Sequence, residues 1–479
     1  MNKKQKGSAL AYGLIIIAVT STILVSMIQY SASQTRFGIN RVERENAFQI
    51  AEAGIYYYRW YLAHQVSGKT AQQIKDFWQN EHPYGVDAPF EQDYFDPEGG
   101  KIGAYSIEVE APDPSSTIVM VKSTGWTDKD PSVKRTIQAR FRRPSWSEYA
   151  VLADDVMRFG SGTQVFGKIH SNYGIHFDGV ANNIISSSVY SYVDPDYGGT
   201  TRQFGVYTRI SPADPTNPVS PQEPPVRTDV FQAGRQFPLP TADFNGILSD
   251  LNYMKTQAQL SGRYFDDSDY GRRIILKSNG TFDVCKVSTY DTTTYGISRY
   301  RRTTGTSTCT SCSGSCLANY PIPDNGIIFV EDNAWIEGTV SDRRVTVVAA
   351  NLIGGSPANA YIGFNNILYT NFDGSDIIGI IGQKNVTVVR DSQNNLTIDA
   401  ALLAQSGKVG RDHYDSSSYD KNTITINGSL ATKLRYGFAY TDGRGYVNRI
   451  LNFDNNLLYF PPPYFPTGTE YYIDLWDEV

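Results

Sequence analysis

Cysteine is scarce: Cys285, Cys309, Cys312 and Cys316 are the four copies in 479 residues, and all fall in one region. The fold as a whole is therefore no disulfide scaffold. A basic excess is missing too. With 43 Lys and Arg against 49 Asp and Glu, the formal net charge is −6, and without a basic face to neutralise phosphates nucleic acid is not an expected partner. No HExxH, GxSxG, Walker loop or dinucleotide fingerprint occurs, so the short signatures of metalloprotease, serine-hydrolase and nucleotide chemistry are lacking. No isolated catalytic Cys–His pair stands out, the carboxylates are dispersed, and nothing points to a glycosidase. The expectation is a protein that is not an enzyme and needs no cofactor.

What is present describes a folded, strand-rich chain. At 479 residues it exceeds one average domain, so two or three packed units are expected. With 40% hydrophobic and 19% charged residues it is not a disordered chain, and its 41 Gly and 33 Tyr favour strands and turns over a helical bundle.

The N-terminus is the most informative segment. Lys3, Lys4 and Lys6 precede about 23 uncharged residues, Ser8 to Tyr30. As a helix these span about 35 Å, enough for the roughly 30 Å hydrocarbon core of a bilayer. The lysines keep the leader cytoplasmic and send the remainder outward. An ordinary secretory signal would carry its small-residue cleavage site after the apolar core. Here the small pair Gly7-Ser8 comes before it, so cleavage there leaves the apolar segment on the mature chain. From Ser31 to Gln65 there is no proline. Phe37, Val42, Phe48, Ile50, Ala51 and Ile55 recur at helical spacing, with Arg41, Arg44 and Glu45 mostly opposite.

A short basic leader, a Gly and then an apolar helix resemble the class III signal that prepilin peptidase processes. The stretch ENAFQIAEAGIYYY is similar to the corresponding segment of PilX-type minor pilins and of the tip pseudopilins of type II secretion. The resemblance covers about the first 145 residues. It implies one long helix, half in lipid and half docked on a globular head, with other pilins as partners through that helix. Two positions depart from the family. Tyr12 stands where major pilins carry a Glu, which removes a subunit-docking contact and is typical of subunits at a tip. Ser8 replaces the usual Phe or Met at the new N-terminus, which puts cleavage in question more than anchorage. An uncleaved signal anchor is the competing reading.

Beyond a loop rich in Pro, Asp and Gly, three alternating runs read as an antiparallel meander: AYSIEVEA, STIVMVKSTGW and VKRTIQARFRR. The expected class is thus α+β, a pilin-like helix on a three-stranded meander followed by a mainly-β domain. From Tyr149 onward short strands alternate with Gly and Asn corners at loosely twenty-residue spacing, which suits an irregular parallel β-solenoid, with a β-sandwich as the alternative. The runs GKIHSNYGIHFDG and NLTIDAALLAQSG also look like outer domains attached to PilX-type N-termini in other bacterial surface proteins. The expected organisation is a leader over 1–7, a membrane half-helix over 8–30 and a head over 31–145. A β-rich outer domain over 146–193 and 324–460 is interrupted by an insertion over 194–323. That insertion holds a Pro-rich linker, a helix from Ala242 to Leu260 capped by Thr241, and the Cys loop. An aromatic tail spans 461–479.

Each candidate site has a plain counterpart. Cys285, Cys309, Cys312 and Cys316 allow a zinc or iron–sulfur site, but outside the cytoplasm two disulfides are the better reading, with three pairings open. Asp266, Asp267 and Asp269 offer oxygens to calcium, although the distal Glu of an EF-hand is missing and a solvated turn is the default. His170 and His176 sit six residues apart on one strand-like segment, able to share a face, yet metal or acid–base work needs further ligands. Clustered aromatics, as in YYYRWY and LYFPPPYFPTGTEYYIDLW, read as core or edge cover, or else as a contact surface for glycans, partner pilins or host proteins. The expected function is a minor pilin or pseudopilin-like subunit that primes, caps or decorates a type IV filament. Before assembly it is a single-pass protein of the cytoplasmic membrane with its bulk outside, and afterwards it lies on the pilus or cell surface. A membrane-anchored adhesin outside any filament, or a solenoid enzyme acting on polysaccharide, are the rivals.

Overall fold

The unbroken apolar pattern at the front of the chain forms a single helix, α1, Lys6–Val66. The computed structural model describes residues 6–479 apart from 113–115, 198, 243, 245–247, 268, 302–307, 310–316 and 469, and apart from the side chains of 6–8, 71, 248–250, 308 and 309. A second helix, α2, Ala71–Asn80, starts at a capping box in which Thr70 and Gln73 exchange hydrogen bonds. Four strands follow: β1 Phe90–Phe95, β2 Lys101–Glu110, β3 Ile118–Thr127 and β4 Lys134–Arg142. They pair antiparallel in sequence order, and the C-terminal strand Tyr472–Glu478 adds antiparallel to β4 as a fifth member.

The back half of α1 lies across this sheet. Ala47, Ile50, Ala51, Ile55, Tyr58, Leu62 and Val66 are buried at three- and four-residue steps, against Val119, Val121, Ile137, Ala139 and Phe141. The approach is close because of glycine: a Cβ on Gly125 of β3 would lie 2.4 Å from the Ala47 carbonyl oxygen and from the Ala51 nitrogen. The expected apolar stripe divides here. Ile50, Ala51 and Ile55 are core, whereas Phe37 and Val42 are 71% and 56% exposed, because the sheet does not reach that far along the helix.

The head sheet therefore has five strands rather than three. β1 was hidden in the expected loop: its residues FEQDYF are mostly exposed, and its hold is the stacking of Phe90 on Tyr57 and Tyr84. The fifth strand lies in the stretch expected as an aromatic tail. Asp474 takes two hydrogen bonds from Arg140, and Trp476 meets Phe48 of α1 at 6.1 Å. Just before that strand, Tyr471 is buried and accepts a hydrogen bond from Trp78.

The described residues between these two neighbouring strands form a second, mainly-β region with a mixed 22-stranded sheet. Its strands are short and its partners distant in sequence. One parallel row runs Phe265, Val330, Ala349, Gly382, Ala404, Thr432, Ala153, Ser171, Ser187. Another runs Ile274, Ile336, Ile362, Val388, Arg411. A third runs Ile367, Ile398, Ile426, Leu451, Val165, Ala181. Many of these side chains share one core. In the strand Ile327–Val330, Ile328 and Val330 face that core while Ile327 and Phe329 face another, beneath Leu251, Met254 and Ala258 of helix α3, Leu248–Leu260. Strands buried on both faces need continuous apolar runs, which is why IIFV does not alternate. Asn333, Asn359 and Asn385 repeat at one corner, each side chain bonding the next level.

One expectation is corrected here. Helix α3 does not begin at Ala242 under a Thr241 cap: Asn172 takes a hydrogen bond from the Ala242 nitrogen and gives one to its oxygen, both 2.7 Å, so Ala242 is pinned outside the helix. Within the stretch 194–323, Arg263–Phe265 and Arg272–Leu276 pair in parallel with Ile327–Val330 and Ala334–Val340.

Candidate functional site

The front half of α1 has nothing packed on it among the described residues. From Ala9 to Val42 its side chains are exposed, Gly13 alone being intermediate, and Leu10, Ile16, Ile17, Met27 and Ile28 each exceed 60%. Burying one such side chain is worth about 1.5–3 kcal/mol, so this length of apolar helix requires lipid or other helices around it. By length and composition α1 is able to cross a membrane. Thr20, Thr22 and Ser26 each donate to the carbonyl four residues back, at 2.8 Å, so these three hydroxyl hydrogens are satisfied within the helix.

Burial begins at Glu43, 4% exposed, whose Oε2 accepts a 2.6 Å hydrogen bond from the Thr127 hydroxyl at the end of β3. This carboxylate marks the place where the helix enters the head. Sequence reasoning passed over it, since Glu43 reads as one more solvated charge beside Arg41 and Arg44. Only the fold brings Thr127 to it.

In the outer region a polar cluster gathers around His176, which is 1% exposed. The strand Ile175–Phe177 positions its ring, stacked on Tyr207 at 4.6 Å. Its Nε2 lies 2.7 Å from Asp178 Oδ2 and its Nδ1 3.4 Å from Asp194 Oδ2, yet neither nitrogen makes an aligned hydrogen bond. Burial pulls the His176 pKa down, but the two carboxylates more than reverse this and hold it above the usual value. Asp178, pushed up by burial, is drawn down to about 2 by His176 and the Arg209 backbone N–H. Asp194 is likewise held low against burial by His176 and by the Tyr207 hydroxyl, which donates at 2.5 Å. Arg435 foremost, then Arg158, holds Asp196 at about 2. His170 is not part of this group. It lies in a separate strand, Ile169–Ser171, between the hydroxyls of Ser186 and Ser188 at 3.0 and 3.2 Å, and burial lowers its pKa. The two histidines therefore share no face: the chain changes sheets between them.

Residues 6–55 match the family model described as PilX N-terminal, a span that runs from the start of the exposed helix to Ile55 in the head core. By this match the front of the chain is type IV pilin-like. No curated protein matches it in sequence. Among solved structures it is similar to the competence-associated pilin ComZ from Thermus thermophilus, at 13% identity over 91% of this chain and 97% of that one, with a TM-score of 0.28. A likeness so slight bears no weight on function.

The other sequence-derived positions are dispersed. Gly7 and Ser8 lie in the first turns of α1, and Tyr12 is 67% exposed on its surface. Cys285 is buried and disulfide-bonded, Cys309 lies in the strand Thr308–Cys309, and Cys312 and Cys316 fall outside the described residues. Asp266 accepts a 2.6 Å bond from Arg272, Asp269 lies 3.5 Å from Arg301, and Asp267 is exposed. Buried carboxylates of the outer region are spread out, each with its own partners: Glu331 with Lys255 and Tyr264, Glu337 with Arg273 and Asn365, Asp399 with Asn427.

Proposed function

We propose that this protein is a minor pilin, a subunit that primes, caps or decorates a type IV filament and displays its outer region from it. Prepilin peptidase cuts between Gly7 and Ser8, and the helix then leaves the bilayer to pack sideways among the helices of other pilins. The observation that carries this reading is the abrupt change along α1, which is bare up to Val42, apolar as far as Tyr30, and buried against the head from Glu43 onward. A helix serving only its own head would end near that change. Tyr12 in place of a carboxylate favours a tip position, where that contact is not needed. The parallel rows and the asparagine corner favour a solenoid-like outer domain, a stiff body suited to projecting a contact surface for a glycan or protein.

Mass spectrometry of the native protein tests this directly. A mature chain starting at Ser8, recovered with sheared filaments, is the expected result. An intact N-terminus that stays with the membrane fraction would instead favour an anchored adhesin outside any filament.

A further inference from the structure

The geometry points to a divalent transition-metal site in the outer region, with His176 Nδ1, Asp194 and Asp196 as ligands and Asp178 steadying the ring from its Nε2 side. One ligand atom from each of His176, Asp194 and Asp196 falls within 4.8 Å of the others. An ion at about 2.1 Å from each in tetrahedral geometry holds its ligand atoms about 3.4 Å apart, so the group closes by at most about 1.4 Å.

The bonding arithmetic leaves room for the ion. A carboxylate offers about four acceptor positions. Asp196 uses three, two toward Arg435 and one toward Arg158. Asp194 uses two, toward the Asp196 backbone N–H and the Tyr207 hydroxyl. Each keeps a lone pair. His176 adds to this: an imidazole 1% exposed whose Nε2 is held at 2.7 Å by Asp178, while Nδ1 is only loosely met, 3.4 Å from Asp194 Oδ2 and without an aligned hydrogen bond among the described residues. A metal on Nδ1 supplies an aligned partner, and Asp178 at 2.7 Å from Nε2 occupies the place of the carboxylate that commonly backs a metal-bound histidine. Entry is open from the Asp196 side, which is exposed.

The donor set selects the ion. One imidazole with carboxylates suits Zn²⁺ or Co²⁺, whereas Ca²⁺ takes oxygen ligands alone. Arg158 and Arg435 cancel part of the acidic charge, which moderates the affinity.

The experiment uses full-length protein in detergent, stripped with chelator, with Co²⁺ as an absorption probe and Zn²⁺ in equilibrium dialysis. The proposal expects one equivalent of Zn²⁺ and a Co²⁺ d–d band that Zn²⁺ abolishes, with binding weakened more than tenfold in H176A and in D194N. H413A should bind as the unmodified protein does, because His413 sits on the surface with Asp415 and Asp442 and is the main adventitious competitor. Should H176A fail to give folded protein by circular dichroism, D194N decides. No Co²⁺ band in the unmodified protein, or equal binding by the folded variants, overturns the site.

Discussion

The head and the outer region solve the burial problem in opposite ways. In the head, one helix covers one face of an antiparallel sheet, so strands such as β3 alternate buried and half-exposed residues. In the outer region, parallel rows enclose one core and, along Ile327–Val330, carry a second on their backs. The head depends on a few close approaches between helix and sheet. The outer region depends on repetition, each level resting on its neighbours. Damage should therefore stay local to each region and differ in kind.

The largest effect is expected for Ile398→Ala, which empties a fully buried place in the third parallel row. A loss of about 4 kcal/mol is expected, confined to the outer region. Proteolysis with peptide mapping checks it, with new cleavage between residues 146 and 467 and protection of the head retained; a head that opens at the same time would break the distinction. Next comes Gly125→Ala, where the new methyl meets the backbone of Ala47 and Ala51. A loss of about 2 kcal/mol is expected, visible as earlier hydrogen exchange in α1 beyond Glu43 with the outer region unchanged.

The smallest effect has the opposite sign. Asp454 is buried with no hydrogen-bond partner on Oδ2 among the described residues, its pKa raised by burial, while Oδ1 takes hydrogen bonds from the Asn456 backbone and side chain. Because the folded pKa lies above the unfolded one, the charge costs nothing below the unfolded value, and the cost grows as pH rises toward the folded value. Asp454→Asn keeps the Oδ1 bonds and removes the charge. A gain of about 1 kcal/mol is expected at pH 7, fading to nothing near pH 3 when unfolding is followed by urea titration.

The head was largely legible. The alternating runs that became β2, β3 and β4 announce themselves, and so does α1, because period and length are local properties. The edges of that sheet were not. β1 has almost no buried residue, and the C-terminal strand meets β4 in a register that pairs Tyr472 with Arg142, a contact no window of sequence contains. The same limit hid the cluster around His176. His176 and Asp178 are visible as near neighbours, but Asp194 and Asp196 arrive from a later turn, and the spacing of His170 to His176 suggested the wrong pairing. Gly and Asn corners were readable as corners, whereas the order of the rows was not, since Thr432 precedes Ala153 in space and follows it in the chain.

The outer region is spliced into the head between adjacent strands, and this sets how it answers to force. Ser145 bridges to Thr467, Trp146 donates to the Pro466 carbonyl and Gly468 to that of Pro144. A body hung from one cord swivels; this one hangs from two cords knotted together at the root, so its heading follows the helix beneath it. Any tug on the far end is shared between β4 and its C-terminal neighbour, along a ladder loaded lengthwise rather than peeled open one rung at a time.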